Sequence, residues 1–224
     1  MGCPRRVTEH SRVIAALADV PRVGFLPADV RALAARDAPL PIGHGATNSQ
    51  PWTVAYMLRL LDVGPGQRVL DVGSGSGWTT GLLAWLVGTA GTVVGVELVP
   101  ELVAMGRVHL GARFGWARIE QAAPGVLGWP DAAPYDRILV SADGGLVPAE
   151  LEDQLAPGGR MVLPVRQQMV VVERAASGHV RQVTVTEVVE ARLPVLLPAV
   201  VWASLVLALA GPQRLVDTGA LPVS

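Results

Sequence analysis

The chain has 224 residues, enough to bury the core of one domain without disulfide or metal staples. Half of it is hydrophobic and 17% is charged, with a mean hydropathy of +0.41, which excludes an intrinsically disordered chain. A net charge of −1 gives no long-range attraction to nucleic acid or to an anionic membrane, and a single cysteine, Cys3, excludes an internal disulfide or a paired-cysteine zinc site.

The N-terminus, Met1-Gly2-Cys3-Pro4-Arg5-Arg6, lacks the hydroxyl residue of a myristoylation signal, and no apolar core follows the arginines. A cytoplasmic location is therefore expected. Val13, Ile14, Leu17 and Val20, then Val30 and Leu33 beyond a proline-punctuated link, predict a helix-rich segment over residues 8–37. Ser49-Gln50-Pro51 reads as a helix start with the Ser49 hydroxyl as N-cap, and the helix closes at Gly64-Pro65-Gly66. Strands at 68–72, 92–97, 117–120, 136–140 and 160–165 then alternate with helices at 79–87, 100–111 and 148–155. A hairpin of residues 169–174 and 180–189 turns around Ser177-Gly178. Strands alternating with helices predict an α/β fold, a mostly parallel sheet with helices on both faces. Residues 193–213 are uncharged, but Pro194 and Pro198 leave only 199–211 as an unbroken helix. Such a helix reaches about 20 Å, short of a ~30 Å hydrocarbon core, so a buried or dimerising helix is expected rather than a membrane span.

The chemistry concentrates in Val69-Leu70-Asp71-Val72-Gly73-Ser74-Gly75-Ser76-Gly77-Trp78, an apolar strand running into a glycine turn that opens a helix. A dinucleotide fingerprint needs glycine where Trp78 stands, and the chain has no lysine for a P-loop. Glu97 ends the next strand, where one carboxylate receives the two hydroxyls of a ribose. A loop suited to a ligand without phosphates, its amides facing a carboxylate, fits S-adenosylmethionine.

The block Pro41-Ile42-Gly43-His44-Gly45-Ala46-Thr47-Asn48-Ser49-Gln50-Pro51 resembles a signature of the protein-L-isoaspartate (D-aspartate) O-methyltransferases. Val20-Pro21-Arg22-Val23-Gly24-Phe25-Leu26-Pro27, Ala133-Pro134-Tyr135-Asp136, Val147-Pro148-Ala149-Glu150-Leu151 and Leu155-Ala156-Pro157-Gly158-Gly159-Arg160 are similar to further segments of that family. The resemblance is collinear from about residue 10 to residue 190. It implies a Rossmann-like class I S-adenosylmethionine-dependent methyltransferase with a mostly parallel seven-stranded sheet. Residues 1–66 would carry the acceptor motif, 67–190 the cofactor domain, and 191–224 an apolar extension. The implied reaction is methylation of the carboxylate of L-isoaspartyl residues in damaged proteins or peptides, with no metal. By the motif match, Ser49 orients the acceptor carboxylate, alongside or instead of its capping role. Thr47 and Asn48 flank the cofactor, Gly73, Ser74 and Gly75 contact its amino-acid part, and Glu97 its ribose. Asp71 binds its ammonium, directly or through water, or simply orients the loop. His44 reads as a turn residue, and Trp52 as packing over ligand or over the core.

The chain departs from the family in three places. Where the family has Gly-Asp-Gly after its third strand, counting back from Gly128-Trp129 puts Pro124 at the adenine-binding Asp, leaving Glu120 or Gln121 as substitutes. Ser141-Ala142-Asp143-Gly144-Gly145 replaces an alanine-rich segment, and Asp143 adds a negative charge near the implied acceptor site. The apolar tail after Arg192-Leu193-Pro194-Val195-Leu196 matches only loosely. Two other readings are a methyltransferase dedicated to Asp side chains of one modified peptide, and a non-catalytic interaction domain.

Overall fold

The computed structural model describes residues 5–142 and 144–185, with side chains from residue 12 onward. Helix α1 (Arg5–Asp19) ends before Pro21, and residues 22–33 form two short 3-10 turns, Arg22–Phe25 and Arg31–Leu33, instead of continuing the predicted helical segment. Pro21, Gly24 and Pro27 account for this, since proline removes a helix donor and glycine weakens the helix. A hairpin that sequence periodicity does not predict follows, β1 (Leu40–Gly43) and β2 (Ala46–Asn48). Its turn passes through Gly43, His44 and Gly45 at φ of 91°, 54° and 74°, so His44 is indeed a turn residue.

From there the chain alternates as its pattern predicts: α2 (Pro51–Leu61), β3 (Arg68–Val72), α3 (Trp78–Val87), β4 (Thr92–Glu97), α4 (Pro100–Leu110), β5 (Ala117–Gln121) and β6 (Tyr135–Val140). Short α5 (Ala149–Asp153) leads into the long strand β7 (Leu155–Val165), then β8 (Gln168–Arg174) and β9 (Val180–Val185). The helix expected over 148–155 is shorter because the strand begins at Leu155, opposite Tyr135. Backbone packs too closely at Gly159 for a side chain, with the Ala156 carbonyl 2.7 Å from any added Cβ.

Among the described residues the main sheet has seven strands in the order β5-β4-β3-β6-β7-β8-β9. Pairings from β5 through β7 are parallel, and β8 and β9 close the edge antiparallel. The order reverses between β3 and β6, and the carboxyl ends of strands at such a switch point are where open α/β sheets bind ligands. Alternation divides the core: Val69, Val93, Leu139 and Val162 pack under α1–α3, while Leu70, Val94, Ile138 and Met161 pack on the other face with Leu151. On the first face Arg137 and Arg160, neighbours across β6 and β7, donate to the Asp62 and Leu60 carbonyls at the end of α2. Cationic groups there complement the negative end of the helix.

The expected terminal elements beyond residue 185, including the run at 193–213, and the N-terminal tetrapeptide lie outside the described residues. No helix among the described residues is long and apolar enough to cross a membrane.

The glycine turn after β3 is wedged against α4. A Cβ on Gly106 would lie 2.5 Å from Ile119 Cδ1 and 3.2 Å from the Gly75 carbonyl. Gly106→Ala should therefore destabilise the fold by about 1–3 kcal/mol through overpacking, read as a lowered urea midpoint at unchanged m-value.

Candidate active site

The turn after β3 is tied to the end of β4 by its own amides. Those of Gly73 and Ser74 donate to the Val96 carbonyl at 2.9 and 3.1 Å, and that of Gly75 to Glu97 Oε2 at 2.9 Å. This corrects the expectation that these amides face a ligand carboxylate: the parallel neighbour claims them first. The Ser74 carbonyl accepts the Gly77 amide and the Ser76 carbonyl meets His109, so what the turn has left to offer is chiefly the carbonyls of Gly73 and Gly75 and the Ser74 hydroxyl, a buried oxygen with no hydrogen-bond partner among the described residues. The third glycine, Gly77, sits at φ 90° as N-cap of α3, with Gly106 backbone 3.2 Å from where its Cβ would be. Its early position thus serves close helix packing at the loop.

Asp71 lies on the α3 face of β3 and is fully buried. Its Oδ2 accepts hydrogen bonds from the hydroxyls of Thr79 and Thr80, each at 2.7 Å. Oδ1 has no partner. Burial pushes its carboxyl up to about 6, with the charge of Glu97 adding to the rise and the two threonine hydroxyls opposing it.

Glu97, 9% exposed, ends β4 as predicted. Besides holding Gly75 through Oε2, it accepts the amides of Leu98 and Val99 on Oε1 at 2.7 and 3.0 Å. Three of roughly four acceptor positions of a carboxylate are filled. Oε2 keeps one, so the geometry offers a ribose one direct bond rather than the symmetric pair expected from sequence.

The acceptor motif runs along β2. Asn48 is buried, its Oδ1 receiving Arg22 Nε at 2.7 Å and its Nδ2 donating to Ser76 Oγ at 3.2 Å. That side chain therefore links β2 to the glycine turn. Thr47 precedes it in the strand, opposite Pro41. Ser49 is half-buried and its hydroxyl makes no hydrogen bond among the described residues. The capping role given to Ser49 is corrected: the N-cap of α2 is Gln50, without a side-chain cap bond, and Pro51 is the first helical residue. The Trp52 amide is capped instead by Asp37 Oδ1 at 2.9 Å. Trp52 stacks on Tyr56 one turn along, centroids 5.3 Å apart and planes at 12°.

At the adenine side the two substitutes for the family's Asp separate. Glu120 is taken by Arg107 at 3.1 Å and Arg118 at 2.9 Å. Gln121, at the carboxyl end of β5, gives its Nε2 to the Leu98 carbonyl and keeps Oε1 as an acceptor. Asp143 lies outside the described residues.

Sequence reasoning gave no role to Arg22, Asp37, Ser76 or His109. The first sits in a segment matched to the family; Asp37 carries no signal, because it reaches its helix from fifteen residues away.

The model of the family described as protein-L-isoaspartate(D-aspartate) O-methyltransferase matches residues 4–193. The chain belongs to this family. A protein-L-isoaspartate O-methyltransferase of Anaeromyxobacter dehalogenans (strain 2CP-C) is 50% identical over 173 residues, 75% of this chain and 81% of that one. A solved protein-L-isoaspartate O-methyltransferase superposes with a TM-score of 0.67 at 25% identity, over 76% of this chain but 57% of that longer one. Another, a Plasmodium falciparum protein-L-isoaspartate O-methyltransferase in complex with S-adenosyl-L-homocysteine, gives a TM-score of 0.67 at 26% identity, over 79% and 87% of the two chains. The family's cofactor is S-adenosylmethionine, and the site fits it. Two buried oxygens without partners among the described residues, Asp71 Oδ1 before the glycine turn and Ser74 Oγ within it, and two buried carboxylates suit a cationic ligand.

The raised Asp71 carboxyl links stability to pH. Its folded value of about 6 lies above the ordinary 3.8, so the folded state holds the proton more tightly and loses stability as pH rises from 4 to 6. Relative to Asp71→Asn, the wild type should lose roughly 1–3 kcal/mol between pH 4 and 7 in urea titrations. Cofactor affinity should change the opposite way in calorimetry, rising with pH through about 6 in the wild type and staying flat in Asp71→Asn.

Proposed function

We propose that this chain transfers the S-methyl group of S-adenosylmethionine to the free carboxylate of L-isoaspartyl residues in proteins and peptides. The observation that carries the reading is the Asn48–Ser76 hydrogen bond, which sets the family's acceptor strand directly against the cofactor turn. When bound, S-adenosylmethionine supplies a methyl group activated on a positively charged sulfur.

In this reading Asp71 Oδ1 and the turn carbonyls at Gly73 and Gly75 take the ammonium, Ser74 Oγ a polar atom of the amino-acid part, and Glu97 Oε2 one ribose hydroxyl. Gln121 Oε1 replaces the family's Asp toward the adenine, and Thr47 and Asn48 border the pocket. Ser49 donates its hydroxyl to one oxygen of the acceptor carboxylate and leaves the other free to attack. No residue has to remove a proton, since a carboxylate with an ordinary value near 4 is ionised at pH 7. The chain contributes alignment: oxygen, methyl carbon and sulfur in line, in a pocket low in water. The new bond joins carboxylate oxygen to methyl, and the electron pair of the broken carbon–sulfur bond stays on sulfur. In the ester the methoxy group leaves more readily than the oxygen of the free carboxylate, so the amide nitrogen of the following residue attacks the ester carbonyl, methanol departs, and the resulting succinimide takes up water and reopens in part as ordinary aspartate.

The acceptor side is assigned to residues 1–66 and the cofactor side to 67–190, within one domain. The near-neutral charge fits a cytoplasmic enzyme acting on protein, without nucleic acid or membrane as partner.

Labelled S-adenosylmethionine offered with paired isoaspartyl and aspartyl peptides should give base-labile label on the isoaspartyl peptide alone. Label on neither, with the cofactor bound, would redirect the reading to one dedicated peptide, and absence of cofactor binding to a non-catalytic domain. Ser49→Ala should lower kcat about ten- to a hundredfold, the loss of one hydrogen bond to a charged group, with cofactor affinity unchanged.

A further inference from the structure

The guanidinium of Arg22 has no place in the chemistry above, yet the segments around Ser49 converge on it. Arg22 is 5% exposed and lies 5.6 Å from the ring centroid of Trp78, the first residue of α3. Its Nε donates to Asn48 Oδ1 at 2.7 Å and its Nη2 to the Asn48 carbonyl at 2.8 Å, so one group grips both the side chain and the backbone of a single residue. Further bonds run to the carbonyls of Arg36 at 3.1 Å and Ala38 at 2.9 Å. These hydrogen-bond partners are all neutral. The counter-charge acting on it is Asp37, whose carboxylate is engaged on the Trp52 amide.

A buried charge is a poor filler, because an apolar side chain of the same volume would occupy the space without desolvation. What the guanidinium adds is a planar fork that fixes the direction of several acceptors at once. Asn48, held at one end by that fork, passes its amide to Ser76 Oγ, and the Ser76 carbonyl meets His109 Nδ1 at 2.9 Å from α4. The short run 48–52 is therefore pinned at its start by Arg22 and at its end by Asp37, with Ser49 between the two pins.

We propose that Arg22 is a positioning residue for methyl transfer: acting through Asn48 and Ser76, it holds the Ser49 hydroxyl in register with the cofactor turn. The proposal rests on the acceptor role of Ser49. Misplacement by about 1 Å is enough for a hundredfold loss in an alignment-limited reaction. In the reading above the cofactor's polar atoms are held by Asp71, Ser74 and Glu97, which do not touch Arg22; Asn48, which borders the pocket, is the contact between the two.

The test compares Arg22→Met, Arg22→Lys, Asn48→Leu and the Arg22→Met/Asn48→Leu pair with Arg12→Met. Arg12 is a control of similar kind, a guanidinium donating to the carbonyls of Val63 and Leu86 away from the turn. All are assayed below their unfolding midpoints. The expected result is a ten- to hundredfold drop in kcat for Arg22→Met and Asn48→Leu, with cofactor Kd within threefold for Arg22→Met. The double variant should be no worse than Arg22→Met, Arg22→Lys should recover part of the rate, and Arg12→Met should keep full kcat. Amides 46–52 should exchange hydrogen faster in Arg22→Met and Asn48→Leu. Unchanged kcat in the folded variants, or kcat falling in step with thermal stability across the set including Arg12→Met, would overturn the proposal. Should Arg22→Met not fold, Arg22→Lys and Asn48→Leu carry the same comparison. If the wild type leaves isoaspartyl peptide unlabelled, the proposed function fails separately, and the exchange of 46–52 still decides whether Arg22 orders the strand.

Discussion

Glu97 is the junction from which the rest of the site is built. A carboxylate at the carboxyl end of β4 accepts three backbone amides, one from the glycine turn and two from Leu98 and Val99, which lead into α4. Charge-assisted bonds of this kind are stronger than neutral ones and satisfy a buried anion without a cation. They hold the turn, β4 and α4 in one arrangement before any ligand arrives, so little ordering is left to oppose binding. Gly106 and Gly77 bring α4 and the turn within backbone contact, which only small residues allow. Asp71 is the counterpoise: it shares the turn, has an oxygen without a partner, and feels the charge of Glu97. Two anions this close are unfavourable in the free protein and favourable once a cation lies between them.

The acceptor side is joined to this junction by a small shared core, in which Leu40 and Ile42 of β1 pack with Leu102 of α4 and Ile42 lies against Gly75, and by a hydrogen bond. Asn48 reaches Ser76 across the gap between hairpin and turn, and its other end belongs to Arg22. The 3-10 turn carrying Arg22, the loop at 36–38, β2 and the glycine turn thus form one polar assembly around a strand only three residues long. So short a strand has almost no hydrophobic face of its own. Its position is set by pairing with β1, which carries the buried Leu40 and Ile42, and by side-chain bonds, and polar networks satisfied in a low-dielectric interior specify one arrangement well.

Legibility in the sequence follows the same division. From β3 to β6 the chain was readable because apolar period, proline and glycine all agree: Val69 to Val72 faces the core alternately, Pro100 opens α4, and Gly88 closes α3. The hairpin 40–48 was not, since two strands of four and three residues leave no period to detect and their turn uses three successive residues at positive φ. There is a specific reason why Ser49 does not cap α2. Proline restricts its predecessor to extended backbone, so with Pro51 as the first helical residue the cap falls on Gln50, at φ −64° and ψ 139°. The seryl hydroxyl is then displaced from the helix amides, and a residue remote in sequence, Asp37, supplies the bond. The direction of the turn amides was likewise invisible, because it depends on where the β4 carbonyl of Val96 lies.

The contrast between Ser49 and Arg22 bears on how such a site gains rate. Attack of an anionic oxygen on a methyl group attached to cationic sulfur removes charge as it proceeds, so the transition state is less polar than the separated reactants. A guanidinium bonded to the acceptor carboxylate would stabilise that starting anion more than the transition state and would slow the chemical step. A neutral hydroxyl orients the carboxylate with a weaker pull. Arg22 stands one residue away from this requirement, and its donors run to Asn48 and to the carbonyls of residues 36 and 38. On the role proposed for Ser49, the charge of Arg22 stays with Asn48 and the carbonyls of residues 36 and 38, where it fixes geometry, and the acceptor carboxylate meets a neutral hydroxyl.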